Sequence, residues 1–116
     1  MEKKYNKLVR DNIPNIILDD NELPITRILS DDEFRTELYK KLNEECKEVL
    51  NSKTKKETIE ELADILEVIK SIAKLNGEEL EKVISIANEK RLKKGGFDKK
   101  IYLEKTIYDD KNLKKL

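Results

Sequence analysis

The chain has 116 residues, the usual length of a single folded domain, so we expect one domain over residues 1–116. Its 25 basic and 25 acidic residues cancel, and a protein without an excess of positive charge is a poor general binder of nucleic-acid polymers. The chain has no histidine, which excludes catalysis by an imidazole and zinc sites with histidine ligands, so any metal site has to be built from carboxylates.

The composition favours a cytoplasmic protein with no membrane partner. No apolar run approaches the roughly 20 residues of a membrane span, and the first ten residues lack the apolar stretch of a signal peptide. The single cysteine, Cys46, cannot form an internal disulfide, so nothing indicates secretion. A chain of this length buries only about two-thirds of its surface on folding, and self-association would therefore help to stabilise it.

Helix-start and turn residues indicate the first elements of the chain. Asn12 followed by Pro14 is typical of a helix start, and we predict a short helix from there to about Asp19. Residues 24–29 are predicted to form a short extended segment, because the leading proline suits the start of a strand. Residues 101–103 are predicted to be extended as well and to pair with this segment.

Two capping-box patterns predict two long helices in the middle of the chain. Ser30, with a glutamate three residues later, marks the start of a helix that runs to about Asn51. Thr54, with the same spacing to a glutamate, marks the start of the next helix, which runs to about Leu75.

A fourth helix is predicted after the third and should stop at Gly95 and Gly96, because glycine is the usual residue at helix ends. The last residues, roughly 108–116, are predicted to be frayed. The predicted fold is therefore all-α, a bundle of about four helices with short extended segments.

The third predicted helix carries apolar residues on two faces, whereas a surface helix of a small bundle usually buries one. We expect a second copy of the chain to cover the additional face, which predicts a homo-oligomer, either a dimer or a tetramer. The two apolar sets are Ile59, Leu62, Leu66, Ile69 and Ala73 on one face and Ile65, Val68 and Ile72 on the other.

Two pairs of carboxylates are the features of the sequence with the most chemical content. Glu45 and Glu48 in one helix, and Glu61 and Asp64 in the next, are three residues apart and therefore share a helix face. If the helices pack antiparallel, the four groups converge and repel one another unless a hard cation such as Mg²⁺, or Mn²⁺ as a substitute, neutralises them. In a chain that is 43% charged the same spacing also occurs among ordinary surface glutamates, and the pattern alone leaves both interpretations open.

Three motifs, in this order along the chain, resemble a known family. Residues 7–14 (KLVRDNIP) are similar to the opening KLVRDKIP of a small single-domain branch often named phosphoribosyl-ATP pyrophosphohydrolase-like, except that Asn12 replaces its lysine. Residues 44–48 and 61–64 fit the EExxE and ExxD pattern of MazG-like all-α nucleoside triphosphate pyrophosphohydrolases, the superfamily of that branch. Residues 89–97 (EKRLKKGGF) match the basic stretch with which the branch's motif set ends.

The resemblance implies an all-α hydrolase that uses a metal-activated water to cleave a nucleoside triphosphate into the monophosphate and pyrophosphate, with house-cleaning of non-canonical nucleotides as one role. It implies that Mg²⁺ is held by Glu45, Glu48, Glu61 and Asp64. It also implies that Glu44 and Glu45 are catalytic, Glu44 by orienting water, and that the substrate phosphates are bound by Lys7, Arg10, Asn88, Arg91 and Lys94.

Alternatives remain open for the basic residues and for the function. Cations in the last turn of a helix also stabilise the helix dipole, and Lys7 and Arg10 are equally compatible with surface charges. The closest rival function is the phosphoribosyl-ATP pyrophosphohydrolase of histidine biosynthesis, although the KLVRD opening is not typical of that enzyme. A rival from another class is a helical module that binds nucleotides without catalysis, which the complete set of four carboxylates disfavours.

Overall fold

The computed structural model describes residues 1–108, and every regular element in that range is an α-helix. The predicted all-α fold is confirmed, and all four predicted helices are present. They are α1 (Ile13–Asp19), α2 (Asp31–Asn51), α3 (Lys55–Leu75) and α4 (Leu80–Lys94). Among residues 1–108, no helix combines the length and apolar character needed to cross a bilayer.

The chain divides into two compact units, the first spanning Met1–Val83 and the second beginning at Ile84. Helices α1, α2 and α3 lie in the first unit. The frayed tail predicted for roughly 108–116 lies outside the described residues except for Tyr108, whose side chain is exposed.

The start of α2 has the predicted capping box. The Ser30 hydroxyl accepts a hydrogen bond from the backbone N–H of Glu33, and the Glu33 carboxylate accepts one from the N–H of Ser30, both at 3.2 Å. The Arg27 guanidinium donates to both oxygens of the same carboxylate, at 3.2 and 2.7 Å. The hydrogen bonds from Arg27, and then from the Ser30 backbone, lower the pKa of Glu33 from 4.5 to about 2.

This depressed pKa predicts how stability changes in acid. Because the folded protein holds Glu33 ionised more strongly than the unfolded chain does, its contribution is complete above pH 4.5 and is lost as pH falls towards about 2. We expect a Glu33→Gln protein to melt at a lower temperature than wild type at pH 6, and the difference to shrink between pH 4.5 and 2. An Arg27→Gln protein keeps the carboxylate but loses its main partner. Its melting temperature at pH 6 should therefore lie between those of wild type and Glu33→Gln. Thermal melts monitored by circular dichroism at several pH values measure this difference.

Helices α2 and α3 form a helical hairpin, the central packing contact of the first unit. Only three residues, 52–54, connect them, and two helices joined by so short a loop pack antiparallel. The Thr54 hydroxyl accepts from the N–H of Glu57 at 3.1 Å, as predicted, but the Glu57 carboxylate accepts from the N–H of Lys53 at 2.9 Å instead of that of Thr54, so only half of the predicted capping box forms. The Ser52 hydroxyl lies 2.7 Å from that of Thr58, so the turn ties the two helices together.

The buried core lies along this hairpin. Leu38 of α2 and Val68 and Ala73 of α3 are the buried apolar residues among positions 1–108. The Val68 face of α3 therefore packs in the hairpin, with Ile65 and Ile72 partly covered. On the other predicted face, Ala73 is buried and Ile69 is partly covered, whereas three residues towards the start of α3 stay about half exposed, namely Ile59, Leu62 and Leu66.

The predicted strand pairing is wrong for the described part of the chain. Neither residues 25–29 nor residues 101–103 form a strand, and both segments are irregular. Ile25 and Ile28 are 88% and 96% exposed, so these two apolar side chains of the first segment have no cover. A pair of strands without such cover is at best marginally stable in water. Residues that favour strands are therefore not enough to form a strand here.

Candidate metal centre

Three carboxylates converge on the surface of the hairpin. Glu45 of α2 and Glu61 and Asp64 of α3 each offer an oxygen, and these oxygens lie within 4.8 Å of one another. The hairpin explains this convergence, because Glu45 precedes Lys53 by eight residues and Glu61 follows Lys53 by eight. The two glutamates thus stand at the same level of antiparallel helices, and Asp64 follows one turn later on the same face.

The other two predicted acidic residues lie outside this triad. Glu48 is exposed and lies closer to the loop, at the level of Thr58 on α3, although its charge still acts on Glu61. Glu44 is 55% exposed, and its carboxylate lies 3.8 Å from the Lys41 ammonium. The structure therefore brings together three of the four predicted metal ligands and places both remaining acids beside them on α2.

The triad concentrates negative charge in a partly desolvated position. Desolvation, followed by a hydrogen bond with Glu45 and by the charges of Asp64, Glu45 and Glu48, raises the pKa of Glu61 above 4.5. Three oxygen donors of this type, spaced for a common centre and open to solvent, fit a hard divalent cation that keeps some of its water ligands. The donor set contains neither sulfur nor nitrogen, so it does not resemble a structural zinc site.

Two protein cations flank the triad. The Arg10 guanidinium donates to Oδ1 of Asp64 at 2.7 Å, and the Lys41 ammonium lies 3.9 Å from Oε1 of Glu45. Lys41 was missed in the sequence, although it precedes Glu45 by four residues, the spacing at which opposite charges meet on a helix. Arg10 was predicted to bind phosphate, but its contact with a carboxylate of the triad was not predicted.

The segment that carries Arg10 belongs to the first unit and contributes apolar residues to it. Leu8 and Val9 are partly buried, and the carbonyl of Arg10 accepts from the N–H of Ile13 at the start of α1, at 3.0 Å. The Lys7 ammonium lies 5.5 Å from the centre of the Tyr5 ring, within the range of a cation–π contact.

The predicted phosphate-binding residues of the second unit lie on α4. The Arg91 guanidinium pairs with Asp98 at 3.0 Å and lies against Gly96, where a side chain would meet it. Lys94 lines a shallow surface cavity of about 290 Å³ formed by residues 94–101. Asn88 is exposed on α4. The pairing of Asp98 with Arg91 was not predicted, because a single aspartate in a charged stretch carries no signal.

Comparisons of this chain with models of known protein families, with curated proteins and with solved structures found no match.

Proposed function

We propose that this protein is a Mg²⁺-dependent nucleoside triphosphate pyrophosphohydrolase of the MazG-like superfamily that acts on nucleotides in the cytoplasm. The observation that carries the proposal is the convergence of Glu45, Glu61 and Asp64 within 4.8 Å from the two helices of the hairpin. The three sequence motifs, present in the order of the small phosphoribosyl-ATP pyrophosphohydrolase-like branch, support the same class.

The proposed roles follow from the chemistry of the side chains. Glu45, Glu61 and Asp64 hold the cation, with Glu48 as a fourth acidic neighbour. A bound Mg²⁺ or Mn²⁺ would supply neutralisation of the polyphosphate and a lowered pKa of water. Glu44 is exposed beside the cluster and is the group proposed to orient the attacking water.

The substrate's negative charge requires basic partners. Arg10 already lies at the triad, and the guanidinium group binds phosphate oxygens with two parallel hydrogen bonds. Lys7 lies in the same segment. The resemblance adds Arg91 and Lys94 as proposed phosphate ligands, with Asn88 one turn before Arg91 on α4.

In the proposed reaction the oxygen of water forms a bond to the α-phosphorus, and the bond from that phosphorus to the oxygen bridging the α and β phosphates breaks. The products are the nucleoside monophosphate and pyrophosphate, and the net proton of the water is released to solvent. Carboxylates and a cation suffice for this chemistry, which is compatible with a chain that has no histidine.

A homo-oligomer is part of the proposal. The half-exposed face of α3 formed by Ile59, Leu62 and Leu66 offers apolar surface that a second copy of the chain would bury. Nucleic-acid polymers and membranes are not among the proposed partners.

A panel of nucleotides tests the reaction. Each ribo- and deoxyribonucleoside triphosphate, and phosphoribosyl-ATP, is incubated with the protein and Mg²⁺, and pyrophosphate and orthophosphate are measured separately. We expect monophosphate and pyrophosphate in equal amounts and no release of product in EDTA. Orthophosphate with the nucleoside diphosphate would show cleavage at the wrong bond, and binding without turnover across the panel would favour the non-catalytic module.

A further inference from the structure

One ion pair joins the N-terminal segment to the triad across 54 positions of sequence. Nη2 of Arg10 donates to Oδ1 of Asp64 at 2.7 Å, and the two side chains are 57% and 42% exposed. The pair between Arg27 and Glu33 has the same length and similar exposure, but neither of its residues belongs to the triad. These two pairs provide a natural comparison within one chain.

The Arg10 guanidinium and a divalent cation would compete for the same carboxylate. A divalent cation at the triad cancels most of the negative charge of Glu45, Glu61 and Asp64, so the attraction between the triad and the guanidinium becomes weaker. The attraction itself is small, because both side chains are largely in water, where ion pairs contribute little. Cation binding to the triad therefore weakens the attraction that holds Arg10 at Asp64, and the cation competes directly for the Asp64 oxygen that the guanidinium contacts.

The local structure allows the side chain to leave without unfolding the segment. The backbone of Arg10 is anchored by the hydrogen bond from Ile13 at 3.0 Å, and Leu8 and Val9 are partly buried. The long arginine side chain is exposed, so its rotations need no movement of these anchors. After departure, the guanidinium remains within a side-chain length of the triad.

We propose that the Arg10 side chain pairs with Asp64 as long as the triad holds no metal. When a divalent cation binds, Arg10 leaves Asp64 and binds the phosphates of the substrate. This inference rests on the proposed function, because it assumes that the triad holds a metal. Arg10 thereby couples the two binding events, because metal binding frees the guanidinium to bind the phosphates of the substrate.

A carboxylate has two oxygens, so a second arrangement is possible in geometry. Arg10 would stay on Oδ1 of Asp64 and orient the carboxylate while Oδ2 contacts the cation. The two arrangements predict opposite signs: removal of Arg10 strengthens cation binding if the two compete and weakens it if Arg10 orients the ligand.

Calorimetric titration of the full chain with Mn²⁺ alone decides between them. We expect Arg10→Gln and Arg10→Met to bind Mn²⁺ about two- to fivefold more tightly than wild type, the range expected for loss of an exposed ion pair. Arg10→Lys, which keeps the charge, should bind like wild type. Arg27→Gln is the matched control and should also bind like wild type, and circular dichroism establishes that each variant is folded.

The second half of the proposal is measured with pyrophosphate at saturating Mn²⁺. We expect the neutral Arg10 variants to bind pyrophosphate more weakly than wild type, although they bind the metal more tightly. Equal Mn²⁺ affinity in wild type and both neutral variants, or weaker affinity in the variants, would overturn this inference and leave the metal site intact. Failure of wild type and variants alike to bind Mn²⁺ would contradict the proposed function and the inference together.

Discussion

Replacement of Asp64 by asparagine is expected to abolish metal binding and to lower nucleotide hydrolysis by at least about 100-fold. A catalytic cation stabilises the charge of the transition state by several kcal/mol, and each ~1.4 kcal/mol corresponds to a factor of ten in rate. Asp64 is one of the three carboxylates that converge in the described residues, so its loss would leave two of them for the cation. The measurements are Mn²⁺ titration and release of pyrophosphate.

The fold should survive this change. Asp64 is 42% exposed, and its partner in the structure is the exposed Arg10, so asparagine removes one surface ion pair and no core contact. We expect the helical circular dichroism to be unchanged. Glu37→Gln provides the control, because Glu37 is an acidic residue of α2 that pairs with Lys40 at 3.1 Å, away from the triad. An Asp64→Asn protein with normal turnover would refute the assignment of the metal site.

Glu48→Gln distinguishes between the ligand set implied by the resemblance and the set that the structure brings together. If Glu48 is a direct ligand, its loss should be as severe as that of Asp64. If it acts only through its charge on Glu61, metal affinity should fall by a smaller factor.

In wild type, Mg²⁺ should raise the melting temperature, since a ligand at 100 times its Kd stabilises the folded state by about 2.7 kcal/mol.

The helices could be predicted from the sequence because local interactions determine where they begin and end. Ser30 and Thr54 accept hydrogen bonds at the starts of α2 and α3, and these contacts involve residues only three positions away. Gly77 and Gly95, which follow α3 and α4, have positive φ angles of 79° and 84°, a backbone conformation that glycine adopts readily. The triad could be predicted in large part for a similar reason, because a short loop sets the register of the hairpin.

Other features depend on contacts between distant residues, which a single sequence does not reveal. The pair between Arg10 and Asp64 spans 54 positions, and no periodicity marks it. The strand prediction for residues 25–29 relied on residue preference and lacked the apolar cover that a strand needs. Cys46 is exposed, although free cysteine is among the residue types that are most often buried.

Leu66→Glu is expected to convert a homo-oligomer into monomers. Ile59, Leu62 and Leu66 lie at spacings of three, four and seven residues and share one face of α3, where they are 58%, 46% and 49% exposed. Burial of a leucine side chain contributes about 1.5–3 kcal/mol, and a twofold interface contains each substituted position twice. Loss of two such contacts, with two carboxylates introduced between apolar surfaces, should weaken association by at least about 100-fold.

Light scattering at low micromolar concentration measures this change directly. Wild type should have a mass at least twice 13.6 kDa, and the Leu66→Glu protein should have a mass near 13.6 kDa with unchanged helical circular dichroism. Leu18→Glu is the matched control, because Leu18 is 50% exposed but belongs to α1, and this variant should remain assembled. Dissociation of both variants would place the interface elsewhere or spread it over both helices. A monodisperse wild-type mass near 13.6 kDa, with full activity, would show that neither folding nor hydrolysis needs a second copy and that the α3 face stays open to water.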